Sequence, residues 1–227
     1  MAIQAVLFDL DGTLLETVPD LAAAVNAMLR EMGRPEISQK QVGVYVGKGA
    51  ESLVRRALSG AMDGQVDADL FRQAMALWNQ HYELLNGYKA HCFDGVREGL
   101  DMLQNAGFKL AVVTNKPERY TLPLLKRTEL LPYFEVVVGG DTCARKKPDP
   151  MPIEFACQQL GVNPDEALMI GDSVNDALSA QAAGVSCWLL PYGYNEGNDI
   201  HSTPCDAYVQ TIEEAANLLL TEQGTTA

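Results

Sequence analysis

Two aspartates, Asp9 and Asp11, follow a short apolar run and come directly before a glycine, in the segment "VLFDLDGT". If a β-strand persists this far, residues two apart share a face, so both carboxylates point together and Leu10 points away. Such a pair can supply a nucleophile and a proton donor, and it can hold a hard cation. The same sequence is also typical of a strand that ends in an Asp-Gly turn and has no catalytic role.

Polar groups also follow the later apolar runs of the chain. The relevant residues are Thr114, Asn115 and Lys116 after the second run, Arg145, Lys146 and Lys147 after the third, and Asp172 and Asp176 after the fourth. Ligands of an open parallel sheet bind beyond the carboxyl ends of its strands. A sheet edge that is merely exposed to solvent would rarely combine acids, a hydroxyl and a lysine at successive strand ends. Their joint occurrence therefore favours a functional site.

The elements that must position these groups are visible as short runs rich in β-branched residues. These runs predict strands at 5–8, 109–114, 134–139, 167–172 and 185–190. Helical periodicity between the last four strands predicts helices at 117–128, 151–160 and 175–183. Alternating strands and helices indicate an α/β protein with a Rossmann-like parallel sheet and helices on both faces.

About a hundred residues separate the first strand from the second, and they differ from the rest. Helical spacing recurs at 19–33, 50–58 and 68–82 without a convincing strand between, and a further helix is predicted at 95–107. We therefore predict a small all-helical cap domain, inserted after strand one. Its predicted bounds are 16–88, and the catalytic core then comprises 1–15 and 89–227.

The composition excludes several classes of protein. The chain has 227 residues, a hydrophobic fraction of 47% and a formal net charge of -13, which argues against a nucleic-acid partner. Five dispersed cysteines form no CxxC pair, so we expect a reducing compartment. With no basic leader and no apolar run of ~18 residues, we expect a cytoplasmic protein without a membrane partner, ending in a frayed tail at 222–227.

The acidic residues at the strand ends indicate a particular metal and a particular reaction. Asp9, Asp11 and Asp172 offer oxygen ligands with no His or Cys nearby in the sequence, which suits Mg²⁺ rather than Zn²⁺. Mg²⁺ prefers a phosphate partner. A carboxylate nucleophile can form an aspartyl-phosphate, and the rest of phosphoryl transfer is alignment and charge neutralisation.

Four segments resemble the ordered motifs of the haloacid dehalogenase superfamily of phosphotransferases: "DLDGT", "VVTNK", the lysine before "PDP", and "GDSVND". The resemblance implies that Asp9 attacks phosphorus, while Asp11 protonates the leaving oxygen and later activates water. It implies that a carboxylate oxygen of Asp9, the backbone carbonyl of Asp11 and the side chain of Asp172 hold the metal. Asp176 and Thr13 would support these groups, with Asp176 orienting the lysine or a metal-bound water.

The same resemblance assigns the phosphate-binding residues. Thr114 and Asn115 would bind phosphate oxygens, and Lys147 would neutralise charge, because the family lysine usually directly precedes the proline. Lys146 is then expected to be a solvated neighbour. The dehalogenases that name the superfamily lack an acid two residues after the nucleophile, so Asp11 favours phosphate chemistry over carbon–halogen cleavage.

Within the predicted cap, the segment "VGKGAESLVRRAL" places Lys48 and Gly49 before a helix. Free N–H groups at a helix start, together with a lysine, favour a small anion, with Arg55 as the next candidate. A glycine-flanked helix start with an exposed lysine would have the same sequence.

Most of the chain resembles bacterial phosphoglycolate phosphatases, including the segments "VGKGAESLVRRAL", "KKPDP" and "PYGYNEG". This implies hydrolysis of 2-phosphoglycolate to glycolate and phosphate, by a monomer or homodimer. The alternatives are a phosphatase of the same superfamily that acts on a sugar or amino-sugar phosphate, and a β-phosphoglucomutase-like mutase. A non-catalytic binding module is disfavoured because the residues that carry the motifs are intact.

Overall fold

The computed structural model describes residues 2–224 and contains a six-stranded parallel sheet with helices on both faces. The strands are β1 (Ala5–Phe8), β2 (Leu15–Glu16), β3 (His91–Cys92), β4 (Lys109–Val113), β5 (Val136–Val138), β6 (Ala167–Gly171), β7 (Ser186–Leu189) and β8 (Ala207–Tyr208). The helices are α1 (Val18–Glu31), α2 (Gln39–Tyr45), α3 (Ala50–Ser59), α4 (Ala68–Leu85), α5 (Val96–Asn105), α6 (Glu118–Arg127), α7 (Met151–Leu160), α8 (Val174–Ala183) and α9 (Ile212–Gly224).

The order of strands in the main sheet is β5-β4-β1-β6-β7-β8, and each neighbouring pair is parallel. The first strand of the chain therefore lies in the middle of the sheet, between β4 and β6. Phe8 at its end is opposite Val112 and Ile170. The carboxyl ends of these three strands meet at one edge, and the predicted Rossmann-like α/β fold is confirmed.

Both faces of β1 are buried, as expected of a central strand in a parallel sheet. Val6 and Phe8 belong to a core formed with helices α5, α6 and α9. Ala5 and Leu7 belong to a second core on the opposite face, formed with α7 and α8. The apolar run that predicts this strand is continuous for that reason.

Helices α1 to α4 surround a third hydrophobic core, which includes Trp78 and Tyr82 from α4 and Tyr120 from α6. The chain passes into and out of this helical segment through the antiparallel pair β2–β3. Buried Asp20 holds the returning strand, because its carboxylate accepts hydrogen bonds from three backbone N–H groups in the range 87–90. The predicted division into cap and core domains stays a prediction.

Several elements differ from the sequence-based expectation. Helix α2 and the short strands β2, β3 and β8 were not predicted, and the strand predicted at 134–139 spans only Val136–Val138. Helix α9 was also not predicted, and it continues to Gly224 where a frayed tail was expected; positions 225–227 of that tail lie outside the described residues. Within residues 2–224, no helix has the length and apolarity needed to cross a membrane.

Candidate active site

Three strand ends bring the predicted residues together at one edge of the sheet. Asp9 follows β1, Thr114 follows β4, and Asp172 follows β6. The Asp9 N–H still donates to the carbonyl of Ile170 at 3.0 Å, so the position of Asp9 is fixed by the last ladder bond of the sheet. The sheet topology thus places residues far apart in sequence around a single point.

Lys147 is the cation at this point. Its Nζ lies 3.1 Å from Asp9 Oδ1, and it donates to Asp176 Oδ1 and to the Val113 carbonyl at 2.6 Å each. Its side chain is 2% exposed. Burial opposes the charge of the ammonium, but Asp176 and Asp9 raise the pKa of Lys147 above its ordinary value, so it stays charged.

Asp176 has both carboxylate oxygens engaged. While Oδ1 accepts from Lys147, Oδ2 accepts from the backbone N–H and the hydroxyl of Ser173 and from the Asp172 N–H. Gly171 allows this close approach, because a Cβ there would lie 2.4 Å from the carboxyl carbon of Asp176. Asp176 therefore fixes both the lysine and the turn that carries Asp172.

Asp172 is held by two donors and by two glycines. Its Oδ1 accepts from the Thr13 hydroxyl at 2.8 Å, and its Oδ2 accepts from the Tyr194 N–H at 2.7 Å. A Cβ at Gly12, where φ is +92°, would lie 2.4 Å from Oδ2, and one at Gly193 would lie 2.2 Å away. Thr13 thus contacts Asp172 directly and orients it.

The carboxylates at this edge are crowded. Asp9, Asp172 and Asp176 each offer an oxygen within 4.8 Å of the others. Burial raises the pKa of Asp9 to about 6, although Lys147 opposes the shift. Burial and the charge of Asp9 also raise the pKa of Asp172 well above its usual range. Because Asp9 and Asp172 lie close together and both resist ionisation, a bound cation would stabilise their charged forms.

Asp11 lines the same cavity as Asp9, but strand alternation is not the reason. Strand β1 ends at Phe8, so the assumption that the strand persists to Asp11 is wrong, and the following turn at Gly12 instead orients Asp11. Both oxygens of Asp11 accept from Lys116 Nζ, at 2.9 and 3.0 Å. Sequence reasoning gave Lys116 no role.

Thr114 and Asn115 line the cavity beside the two acids. The Thr114 hydroxyl accepts from the Lys116 N–H at 3.2 Å. The Asn115 amide donates to the Gly47 carbonyl at 3.0 Å and to the Lys147 carbonyl at 2.9 Å, so it links the helical segment to the lysine loop. Its Oδ1 is buried and accepts no hydrogen bond from the residues the structure describes.

The predicted anion-binding residues of the helical segment lie in different places. Gly49, with φ of +84°, lines the cavity, whereas the Lys48 side chain does not line it and is 45% exposed. Lys48 Nζ lies 3.6 Å from Glu196 Oε2, and the Arg55 guanidinium stacks 3.8 Å from the Phe71 ring centroid. The expected contact of Lys48 with substrate stays a prediction.

Lys146 differs in one respect from the expected solvated neighbour. It is exposed, but its ammonium donates to the Lys48 carbonyl at 2.8 Å and so connects the core to the helical segment.

The loop after β7 makes further contacts with the helical segment. The Tyr194 hydroxyl donates to Glu16 at 3.0 Å and accepts from the Thr17 N–H at 2.9 Å. Glu196, with φ of +52°, forms a 2.7 Å ion pair with Arg56, whose side chain is 4% exposed. In the sequence, this loop is distinctive only as the segment "PYGYNEG", which assigns none of its residues a role.

The cavity itself lies between the strand ends and the helical segment. It is partly open to solvent, and about 490 Å³ within it is free of protein atoms. One end is lined by Asp9, Asp11, Thr114 and Asn115, and the opposite end by the aromatic rings of Trp78, Tyr82 and Tyr120. Such a cavity suits a small molecule with a highly charged end.

The chain is similar to known proteins over most of its length. The family model described as haloacid dehalogenase-like hydrolase matches residues 6–190. A phosphoglycolate phosphatase of Nitrosospira multiformis is 50% identical over 219 residues, with 96% of each chain covered, and one of Thiobacillus denitrificans is 46% identical over 216 residues, with 95% of each covered. The crystal structure of a predicted phosphoglycolate phosphatase from Haemophilus somnus superposes with a TM-score of 0.90 at 30% identity, covering 95% of this chain and 97% of the other.

Proposed function

The chain belongs to the haloacid dehalogenase-like hydrolases, and from this membership we propose that it hydrolyses 2-phosphoglycolate to glycolate and phosphate with Mg²⁺. The predicted enzyme class, a phosphoric monoester hydrolase, is confirmed by this membership and by the relatives. The observation that carries the proposal is the placement of Asp9 at the end of β1, 3.1 Å from Lys147 and within 4.8 Å of Asp172. The relatives named phosphoglycolate phosphatase support the choice of substrate.

The residues present fit a hard divalent cation. Buried Asp9 Oδ1 accepts no well-aligned hydrogen bond within the described chain, although Lys147 is near, and it converges with an oxygen of Asp172. We infer that Asp9, the backbone carbonyl of Asp11 and Asp172 hold Mg²⁺. Bound there, Mg²⁺ would neutralise charge on the phosphate and on the attacking carboxylate.

The reaction has two steps in this proposal. A carboxylate oxygen of Asp9 attacks phosphorus, the P–O ester bond breaks, and Asp11 gives a proton to the departing glycolate oxygen. Asp11 then takes a proton from a water, which attacks phosphorus, breaks the bond to Asp9 and releases phosphate. Lys147 neutralises charge on Asp9 and on the phosphate, while the Thr114 hydroxyl and the Asn115 backbone N–H donate to phosphate oxygens.

The remaining predicted residues act through others. Asp176 holds Lys147, and Thr13 holds Asp172, at the distances given above. We propose that the segment 16–88 acts as a cap that covers the substrate, with Gly49 at the cavity and Lys48 at its rim. The Gly47 carbonyl bonded to Asn115 supports this, because it joins that segment to the phosphate site.

A phosphate-release screen with Mg²⁺ tests the proposed function. The panel contains 2-phosphoglycolate, β-glucose 1-phosphate, several sugar 6-phosphates and an amino-sugar 6-phosphate, each with and without chelator. We expect the highest kcat/KM for 2-phosphoglycolate and no turnover in chelator. A higher kcat/KM for a sugar phosphate would contradict the assignment of 2-phosphoglycolate as the substrate. Full activity in chelator would contradict the requirement for Mg²⁺.

A further inference from the structure

Lys116 is a buried cation of the cavity to which neither the family resemblance nor the proposed reaction assigns a role. It directly follows the phosphate-binding pair Thr114 and Asn115, and its side chain is only 4% exposed. Its ammonium pairs with Asp11 on one side and lies 5.0 Å from the ring centroid of Tyr82 on the other. Lys116 thus lies where the phosphate end of the cavity meets its aromatic end.

The surroundings of Lys116 strengthen any interaction with an anion. Trp78 and Tyr82 stack with ring centroids 4.6 Å apart, and Tyr120 packs edge-on against both. These rings exclude water from one side of the ammonium, and a charge in such surroundings attracts an opposite charge more strongly than in water. Within the described residues, Lys116 is the cation among the side chains that line the cavity.

We propose that the Lys116 ammonium binds the carboxylate of the substrate and thereby selects a phosphorylated two-carbon acid, an inference that rests on the proposed function. In 2-phosphoglycolate only a methylene group separates the ester oxygen from the carboxyl carbon. If Asp11 serves the ester oxygen, the carboxylate must lie next to Asp11. The cation in that place is Lys116, 2.9 and 3.0 Å from the Asp11 oxygens.

Lys116 can serve both carboxylates at once. An ammonium has three N–H donors, and the two oxygens of Asp11 use at most two of them. A substrate carboxylate supplies an acceptor for the remaining donor. A neutral substituent of the same size supplies a weaker acceptor, and a polar site rejects a ligand that lacks the group it is built to bind.

The other cations near the cavity are already occupied elsewhere. Lys147 is held at the phosphate end by Asp9 and Asp176. Lys48 faces Glu196 at the surface, and Arg55 stacks on Phe71, so neither reaches the cavity wall in this structure. The geometry therefore favours Lys116 over the two cations that sequence reasoning put forward.

The test compares two esters within each variant, so partial damage to the enzyme cancels. The acid is 2-phosphoglycolate, and its neutral match is ethylene glycol monophosphate, in which a hydroxymethyl group replaces the carboxylate. Lys116→Met should lower the acid-to-neutral ratio of kcat/KM at least ten-fold, equivalent to about 1.4 kcal/mol. Lys109→Met is the matched control, because Lys109 lies at the opposite end of β4 and contacts Leu160 instead of the cavity.

Binding supplies a readout that does not depend on turnover. In an Asp9→Asn background with Mg²⁺, titration calorimetry of 2-phosphoglycolate should show at least ten-fold weaker binding once Lys116→Met is added. If Lys116→Met leaves the acid-to-neutral ratio unchanged, or if the ratio falls with Lys48→Met instead, the proposed role of Lys116 is wrong but the proposed function still stands. Failure of the unmodified enzyme to hydrolyse 2-phosphoglycolate would overturn the proposed function and the inference together.

Discussion

Two buried lysines at or beside the cavity are each paired with an aspartate, but they differ in how firmly their charges are held. At the phosphate end, Lys147 contacts Asp9, Asp176 and the Val113 carbonyl. Where the phosphate end meets the aromatic end, Lys116 Nζ is ion-paired with Asp11 and otherwise faces Tyr82. We interpret Lys147 as pre-organised for the proposed reaction, whereas Lys116, with two of its three N–H donors directed to Asp11, can also donate to a ligand.

In the proposed function, this difference means that one group of residues carries out the reaction and another selects the substrate. In the proposed reaction, residues at the core strand ends determine which bond breaks, and each is fixed by the sheet or by a bonded partner. The residues proposed to face the leaving group come from α4, α6 and the loop after β4, which join only in the folded chain.

Asp9→Asn should reduce hydrolysis of 2-phosphoglycolate on the order of a thousand-fold or more, because an amide is a poor nucleophile and a poor metal ligand. Steady-state phosphate release measures this. Asp63→Asn, at an exposed acid outside the cavity, is the control and should retain full activity. A variant at position 9 that keeps more than a few per cent of kcat would exclude Asp9 as the nucleophile.

Lys147→Met should lower the free energy of unfolding by about 3–5 kcal/mol, because it leaves the fully buried Asp176 without its cation. Urea denaturation gives the value. Lys146→Met, at the exposed neighbour, should change it by less than about 1 kcal/mol. Adding Asp176→Asn to Lys147→Met should recover part of the loss, and no recovery would show that the uncompensated charge is not the cause.

Asp9→Asn should also stabilise the metal-free protein above pH 6, by about 3 kcal/mol at most. The pKa of Asp9 is raised from 3.8 to about 6 by burial, so its ionised form opposes folding above that pH. The advantage of the variant should shrink as the pH falls through 6 and vanish near 3.8. Thermal unfolding in chelator at several pH values measures it, and an advantage that grows on acidification would contradict this assignment.

Asp172→Asn should raise the Mg²⁺ concentration for half-maximal activity by roughly ten- to a hundred-fold, because it removes a charged ligand. Thr13→Val keeps the shape of residue 13 but removes the donor to Asp172 Oδ1, so it should produce a smaller shift in the same direction. Metal titrations of phosphate release compare the two. If the unmodified enzyme, Asp172→Asn and Thr13→Val all require the same Mg²⁺ concentration, Asp172 is not a metal ligand.

Glu196→Gln should lower the free energy of unfolding by about 1 kcal/mol, because buried Arg56 loses a charged partner but keeps the carbonyls of Tyr45 and Met62. Glu36→Gln breaks the exposed pair with Arg30 and should have a smaller effect. Chemical denaturation of both variants makes the comparison. A larger loss from the exposed pair would show that the loop after β7 does not stabilise the helical segment.

The sequence was sufficient for those parts of the fold that have a local pattern. The run at 5–8 coincides with β1, and 151–160 coincides with α7. Strands of two residues such as β8 have no periodicity to detect, and α2 is only seven residues long and contains a glycine. Helix α9 did carry a signal, since Ile212, Ala215 and Leu219 recur at helical spacing.

The candidate site also contains residues that the sequence pattern predicts and contacts that it does not. Asp9, Thr114 and Asp172 follow strands, so the order of elements was enough to bring them together. The pairing of Asp11 with Lys116 depends on a turn with positive φ at Gly12 and on an aromatic wall from α4. These contacts arise from tertiary packing, and no spacing along the chain encodes them.

A crystal structure of the Asp9→Asn variant with Mg²⁺ and 2-phosphoglycolate tests the account most directly, because it shows both ends of the cavity at once. The account predicts the phosphorus atom beside position 9 and the substrate carboxylate within hydrogen-bond distance of Lys116 Nζ. A carboxylate paired with Lys48 or Arg55, or a phosphate group bound away from the ends of β1, β4 and β6, would contradict it.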